Sequence, residues 1–377
     1  MKKWLCIFLS LLLIFLSACV PAGPNTPEST EGTISGDPEI PTDNVIVFDN
    51  PLVAVSVPTV KESTVHEDGA VLFEYTYQHI SLVLDKPAAA DKIILDFLNR
   101  VDATRQQAKS TENMAASVYS GSQNWIPYQH QVIYSPTRID NRVLSLFGTQ
   151  VTYSGAIHPD RTCASASYDL KTGDVLTLAS IMHKDASLVS FCELVLDSLK
   201  QMSEGDYLYE NYERTVQQRF SVDPTNDEDW YFTQNGLCFY FAPYEIAPYA
   251  SGVITVEIPY EKLDGLLYEP YLPEPKVDVQ GTVSIVPFDQ VEMSVFEQIG
   301  ELVTDNNGEM YMICTDGPIR DVRILSSDNT DTYIIFASYS LTPGDGIMVQ
   351  GDIDSLKNMV LTYKSASETL SIPLITE

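Results

Sequence analysis

The sequence reads as an α+β protein: antiparallel sheets with a few packed helices, followed by a small, mostly-β C-terminal domain. Three observations carry this expectation. Phe73-Glu74-Tyr75-Thr76-Tyr77 alternates at the two-residue period of a strand. Two stretches, starting near Ala88 and Leu188, repeat apolar residues every three or four positions, the period of a helix face. From Met310 onward, short apolar runs alternate with Gly, Asp and Asn turns.

The elements follow in chain order from about Val45. The strand at Phe73–Tyr77 continues through Ile80–Leu84. Pro87 suits a first helical turn, and the helix it opens spans Ala88–Lys109, with Ile93, Phe97 and Val101 four apart on one face. The polar stretch Gln106–Ser122 carries no clear period. Strands are expected at Gln129–Ser135, Val143–Phe147, Val151–Tyr153, Ala164–Leu170 and Val175–Leu178. The last two flank Lys171-Thr172-Gly173-Asp174, a hairpin in which Gly173 supplies the positive φ that a bulged turn needs. A second helix presents Leu188, Phe191, Cys192, Val195, Leu199 and Met202 as one stripe, and Tyr207–Phe220 is expected to be helical too. Asn235-Gly236 marks a hairpin into Leu237–Phe241, and Gly252–Ile258 is the last strand before a linker. That linker, residues 269–281, contains Pro270, Pro273 and Pro275. The β-rich domain spans 282–377, with one helical piece expected at Gln290–Val303.

The chain has 377 residues, 22 basic and 52 acidic, for a net charge of −30. Such a surface cannot neutralise phosphates, which excludes nucleic-acid binding through a broad basic face and electrostatic binding to anionic lipid. A hydrophobic share of 44% excludes disorder along the whole length. The N-terminus carries an address. Lys2 and Lys3 precede the apolar run Trp4–Phe15, too short to span a bilayer comfortably, and Leu16-Ser17-Ala18-Cys19 looks like a bacterial lipobox. The expected products are a signal peptide over 1–18 and a mature chain anchored to the membrane by lipid on Cys19, with a charge of −32 once both lysines are removed. Residues 19–44, rich in Pro, Gly, Ser and Thr, read as an acidic tether. Cys163, Cys192, Cys238 and Cys314 then remain. Their even number permits a disulfide outside the cytoplasm, but they are too sparse for a framework and form no CxxC zinc motif.

No nucleophile elbow, zinc-helix motif, Walker loop or dinucleotide fingerprint occurs, so no catalytic residue and no cofactor are assigned. His158 with Asp160 is the most base-like pair, but Pro159 between them breaks a regular strand, favouring a loop-fixing or ligand-surface histidine. Acidic groups at Asp223, Asp227, Glu228 and Asp229, at Asp328 and Asp331, and at Asp352 and Asp354 do not match a calcium loop. More informative is Phe241–Gly252, where Pro243-Tyr244 and Pro248-Tyr249 make a stiff aromatic loop. Tyr is common on recognition surfaces. The alternative is that both rings pack beneath the loop.

Tyr153-Ser154-Gly155-Ala156-Ile157-His158-Pro159, the Asp169-Leu170-Lys171-Thr172-Gly173 turn and the paired Pro-Tyr segment resemble the RsiV-like family of envelope domains. Phe73–Val101 resembles the companion domain that precedes it, also found in PdaC-like polysaccharide deacetylases. The resemblance covers about 45–268, divided into a companion domain over 45–125 and an RsiV-like domain over 126–268. It implies a non-enzymatic binding module for lysozyme or another cationic protein or peptide, or for an envelope ligand, with Tyr153, Ser154, Gly155, His158, Pro159, Pro243, Tyr244, Pro248 and Tyr249 at the ligand. An anti-sigma role would need a transmembrane segment in place of the lipoprotein leader. The alternative function is an enzyme or accessory factor in peptidoglycan or polysaccharide processing.

Overall fold

The computed structural model describes residues 51–121, 124–202, 207–221, 229–274, 278–327 and 332–375. The leader, Cys19 and the tether lie outside these, as do Asp223, Asp227, Glu228, Asp328 and Asp331. The fold is mostly β, with few helices.

Four short N-terminal strands come first: β1 (Ala54–Ser56), β2 (Thr59–Val65), β3 (Val71–Gln78) and β4 (Ser81–Val83). Then comes α1 (Pro87–Val118), followed by β5 (Tyr128–Ile139), β6 (Val143–Tyr153) and β7 (Asp160–Asp169). One sheet has the order β2-β3-β5-β6-β7. Its β3 and β5 run parallel, a pairing that requires a crossover, and α1 is the helix in that crossover. Ile93, Phe97 and Val101 are buried against the sheet, with the Phe97 ring edge-on to Tyr134 at 5.3 Å. The helix runs nine residues past its expected end at Lys109 because Ala108, Thr111 and Ala115 continue the buried stripe with small side chains. These leave little hydrophobic contrast for a sequence to show.

Next come α2 (Leu178–Ile181), α3 (Leu188–Met202) and α4 (Tyr212–Ser221), then β8 (Trp230–Phe232), β9 (Gly236–Phe241) and β10 (Ile254–Pro259). Phe191, Cys192, Val195 and Leu199 fill the core as the stripe requires, whereas Met202 at the helix end is exposed. The expected strand at Val175–Leu178 does not form. Only a single Tyr168–Val175 bridge pairs there, and Thr177 instead caps α2 through a capping box with Ser180. Gly173 has φ +74° and sits against the Ala89 carbonyl, so the turn packs on the start of α1. The β10-β9-β8 sheet docks on the larger one through side chains. Ser165 donates to the Trp230 carbonyl (2.6 Å), Thr137 to the Phe232 carbonyl (2.6 Å), and the Phe232 N–H to Ser145 Oγ (2.9 Å). These bonds satisfy hydroxyls that would be costly to bury unpaired.

The remaining strands are β11 (Val283–Pro287), β12 (Gln298–Val303), β13 (Glu309–Thr315), β14 (Ile319–Ser327), β15 (Thr332–Leu341), β16 (Asp345–Gly351), β17 (Met359–Ser365) and β18 (Glu368–Pro373), with α5 (Ile353–Lys357) before β17. The helix expected at Gln290–Val303 is absent. Short 3-10 turns occupy 288–290 and 293–295, and Gln298–Val303 pairs in parallel with Asp345–Gln350. That long-range ladder overrides local helical preference. Asp352 caps α5 by accepting from the Ser355 N–H (2.9 Å), which explains this acid without calcium.

The segment 282–377 shares its sheet with the other end of the chain. The six-stranded order is β18-β17-β14-β15-β1-β4, so residues 54–56 and 81–83 complete it. Leu52 and Ala54 lie in the same core as Ile324, Phe336 and Leu361. The described residues belong to one compact unit across the Pro-rich 269–281 stretch. All four cysteines 163, 192, 238 and 314 are free thiols. No described helix is long and apolar enough to cross a membrane.

His130 on β5 is fully buried opposite Thr152, to which its Nδ1 is bonded (2.9 Å). Its Nε2 has no partner among the described residues. Burial pushes its pKa below the usual 6.5. The folded state therefore binds fewer protons than the unfolded one in acid. Stability is expected to fall as pH drops below about 6.5, by up to about 1.4 kcal/mol per pH unit from this group. Urea unfolding at several pH values should show a shallower decline in His130→Gln.

Candidate functional site

The β6–β7 hairpin and the β9–β10 connection meet at one surface. Gly155 in the hairpin loop has φ +85°, and a Cβ there would lie 2.6 Å from the Tyr128 hydroxyl. Only glycine meets both demands. The loop beyond it turns outward, leaving Ile157 fully exposed and His158 exposed.

The facing loop, residues 242–252, is held from inside. Ile246 and Ala247 are buried, the Tyr244 N–H donates to the Ala247 carbonyl (3.0 Å), and the Ala242 N–H donates to Glu245 Oε2 (2.9 Å). Arg219 of α4 anchors this turn. It pairs with Glu245, donates to the Tyr240 carbonyl (2.6 Å), lies 3.3 Å from Asp229 and stacks 4.4 Å over the Phe241 ring. Burial pushes the Glu245 carboxyl up, and the Arg219 guanidinium opposes that shift. Tyr244 has φ +72°, a left-handed conformation unusual for a bulky residue, and the residue is 59% exposed. The surrounding hydrogen bonds hold an aromatic side chain outward at the expense of backbone strain.

The two loops lock together through one residue. The Tyr249 ring stacks on His158 with centroids 4.2 Å apart and planes at 20°, and its hydroxyl donates to the Pro159 carbonyl (2.5 Å). Tyr244 lies 5.5 Å from Tyr249. His158, Pro159, Tyr244 and Tyr249 thus meet, with Pro243 and the exposed Pro248 in the same loop. Among the described residues His158 and Asp160 share no hydrogen bond or ion pair; the ring partner of His158 is Tyr249. Tyr153 and Ser154 join at the hairpin's foot, where the Tyr153 ring meets Tyr128 edge-on at 6.1 Å.

Tyr128 opens a second row of rings that sequence reading missed. Trp125 stacks on Tyr128 (5.1 Å), Tyr119 contacts Trp125 (5.2 Å), and His66 contacts Tyr119 (4.9 Å). The Trp125 indole donates to the Val71 carbonyl (3.0 Å) and Tyr119 to Asp68 Oδ2 (2.8 Å). The Asp68 carboxyl is pushed down to about 2 by the Ala70 N–H, the Tyr119 hydroxyl and His66. Beside this row, Val65, Val118 and Ile126 are more than half or half exposed, at 56, 50 and 60%. The visible signal was the density of aromatics over 119–128, but nothing in it showed their register with Tyr153. The exposed His158 and Tyr244 with the half-buried Tyr249 form an aromatic crest at the β9–β10 loop, while Tyr128 lies in the core and Tyr119, Trp125 and Tyr153 pack partly buried against it. Among the described residues no group of three or more His, Cys, Asp or Glu could hold a metal ion.

Residues 180–261 match the model of DUF3298, a protein family of unknown function. The match includes the 242–252 loop and stops short of the 154–159 hairpin. Among solved structures, a DUF3298 family member from Bacteroides fragilis is similar at 17% identity and a TM-score of 0.44, with 59% of this chain and 96% of that one covered. A DUF3298 family protein from Pseudomonas aeruginosa is similar at 14% identity and a TM-score of 0.41, with 60% and 99% covered. No curated protein matches the chain.

Proposed function

We propose that this chain is a non-enzymatic binding module of the bacterial envelope, anchored outside the cytoplasm by lipid on Cys19, that captures a cationic protein of the lysozyme type on its aromatic crest. The observation that carries this reading is the Tyr249 lock. It fixes two loops from distant parts of the chain into one outward aromatic surface before any ligand arrives. Pre-ordering of this kind lowers the entropy cost of association. Tyr and Trp anchors dominate binding energy at such surfaces. The RsiV-like resemblance of the 153–159 and 241–252 segments supports a lysozyme-like partner. The net charge of −30 favours its encounter, because opposite charges accelerate association in a salt-dependent way.

Titration of the purified chain with lysozyme at about 20 mM and about 150 mM salt tests this, since the wider Debye length at low salt strengthens steering. Saturable binding that weakens with salt is expected. No binding at low salt would rule out lysozyme as the partner.

A further inference from the structure

A second concave site lies away from the crest. A cleft of about 660 Å³ forms where the turn before α1, the β5–β6 turn, the turn after β7 and residues 269–274 come together. This volume lies in the range that takes small ligands. Lys86, Arg142 and Lys171 line it. Whereas the chain has 22 basic and 52 acidic residues, cations and acids are equal in number along this cleft, three of each. Neither lysine side chain has an ion-pair or hydrogen-bond partner among the described residues, although most described lysines elsewhere pair with a carboxylate, as Lys61, Lys92, Lys109, Lys200 and Lys364 do.

Arg142 is held more firmly. It donates to Asp169 Oδ2 (2.5 Å), and its guanidinium lies 5.3 Å from the Tyr271 ring centre. Its Nε is buried without a partner among the described residues. Three acids, Asp85, Glu269 and Glu274, line the cleft as well, so the positive charge is local to the two lysines and is not an excess over the whole lining. Glu274 accepts from Asn141 (3.3 Å) and from the Tyr339 hydroxyl (3.0 Å), while Asp85 and Glu269 are exposed to water. The rest of the lining is apolar: Val53, Leu84, Leu170 and Leu272, with proline walls. Prolines fix the shape of such a wall at low entropy cost.

From two partner-free lysines and the Asp169-held Arg142 beside an apolar floor, we propose that the cleft binds a small carboxylate carried on an apolar body. The carboxylate sits among Lys86, Arg142 and Lys171, and the apolar body lies on Leu84 and Leu272. An acyl chain and an apolar C-terminal dipeptide share this chemistry. This site is independent of the crest, so the two proposals fail separately.

The test is calorimetric titration of the whole chain with decanoate, decanol and N-acetyl-dileucine. Decanoate, N-acetyl-dileucine or both should bind, and decanol should bind at least about tenfold more weakly, because it offers the lysines no charge. Lys86→Gln/Lys171→Gln should weaken carboxylate binding about tenfold without changing the melting temperature, since both residues are exposed. Preference for decanoate would assign an acyl ligand, and preference for the dipeptide a peptide terminus. Binding of neither carboxylate, equal affinity for decanol, or unchanged affinity in the double variant would overturn the proposal.

Discussion

Replacing Arg138 with alanine is expected to lower the unfolding free energy by about 3–5 kcal/mol, as removal of one partner from a buried ion pair does. Arg138 is on β5, and its side chain is 1% exposed. Its Nε donates to Asp140 Oδ2 (2.6 Å), and one terminal nitrogen donates to the Tyr260 hydroxyl and to the Tyr271 carbonyl, both at 2.7 Å. Its guanidinium also lies 5.0 Å from the Phe232 ring centre. One side chain thus ties the larger sheet to β8 and to the segments after β10. Without it, the Asp140 carboxylate stays buried with only the Arg142 and Val143 N–H groups for partners. Equilibrium urea unfolding of wild type and Arg138→Ala measures the loss. A change below about 1 kcal/mol would mean that water reaches Asp140 and the pair is not structurally decisive.

The second large effect is on binding. Tyr249→Ala is expected to weaken capture of the cationic partner by about 30-fold, near 2 kcal/mol, with little change in stability because the residue is only half-buried. The substitution removes the His158 stack and the bond to Pro159 together. Tyr249→Phe keeps the ring and loses only the hydroxyl, so a smaller loss of about 1 kcal/mol is expected. Titration of both variants separates ring packing from loop locking. Wild-type affinity in Tyr249→Ala would move the contact surface elsewhere on the chain.

Local signals were legible where a residue's neighbours in sequence are also its neighbours in space. The stripes Ile93-Phe97-Val101 and Phe191-Val195-Leu199 led to buried helix faces, and Asn235-Gly236 to the β8–β9 hairpin. Reading failed where a distant partner decided the outcome. Gln298–Val303 became a strand because Asp345–Gln350 lies alongside it. From Met310 onward the expected runs each became a strand, yet their sheet needed Ala54–Ser56, 280 to 284 residues from its partners, and no local pattern carries such a pairing. The candidate site shows the same division. Both loops carried visible Pro, Gly and Tyr signatures, whereas nothing local showed that Arg219 anchors the 242–252 turn or that Tyr128 lies beneath Gly155.

By itself, the sequence determined the sign of the surface charge, the elements with strong periodicity and the residue types in the two loops. These depend on composition and on spacing along the chain. Tertiary structure alone decided that His158 and Tyr249, ninety-one positions apart, stack at 4.2 Å. It also decided that His130 is buried with an unpartnered nitrogen and that Lys86, Arg142 and Lys171 share a cleft. The reason is physical. Stacking, desolvation and charge clustering act over a few ångströms in space, and only the packed core sets which distant residues come that close.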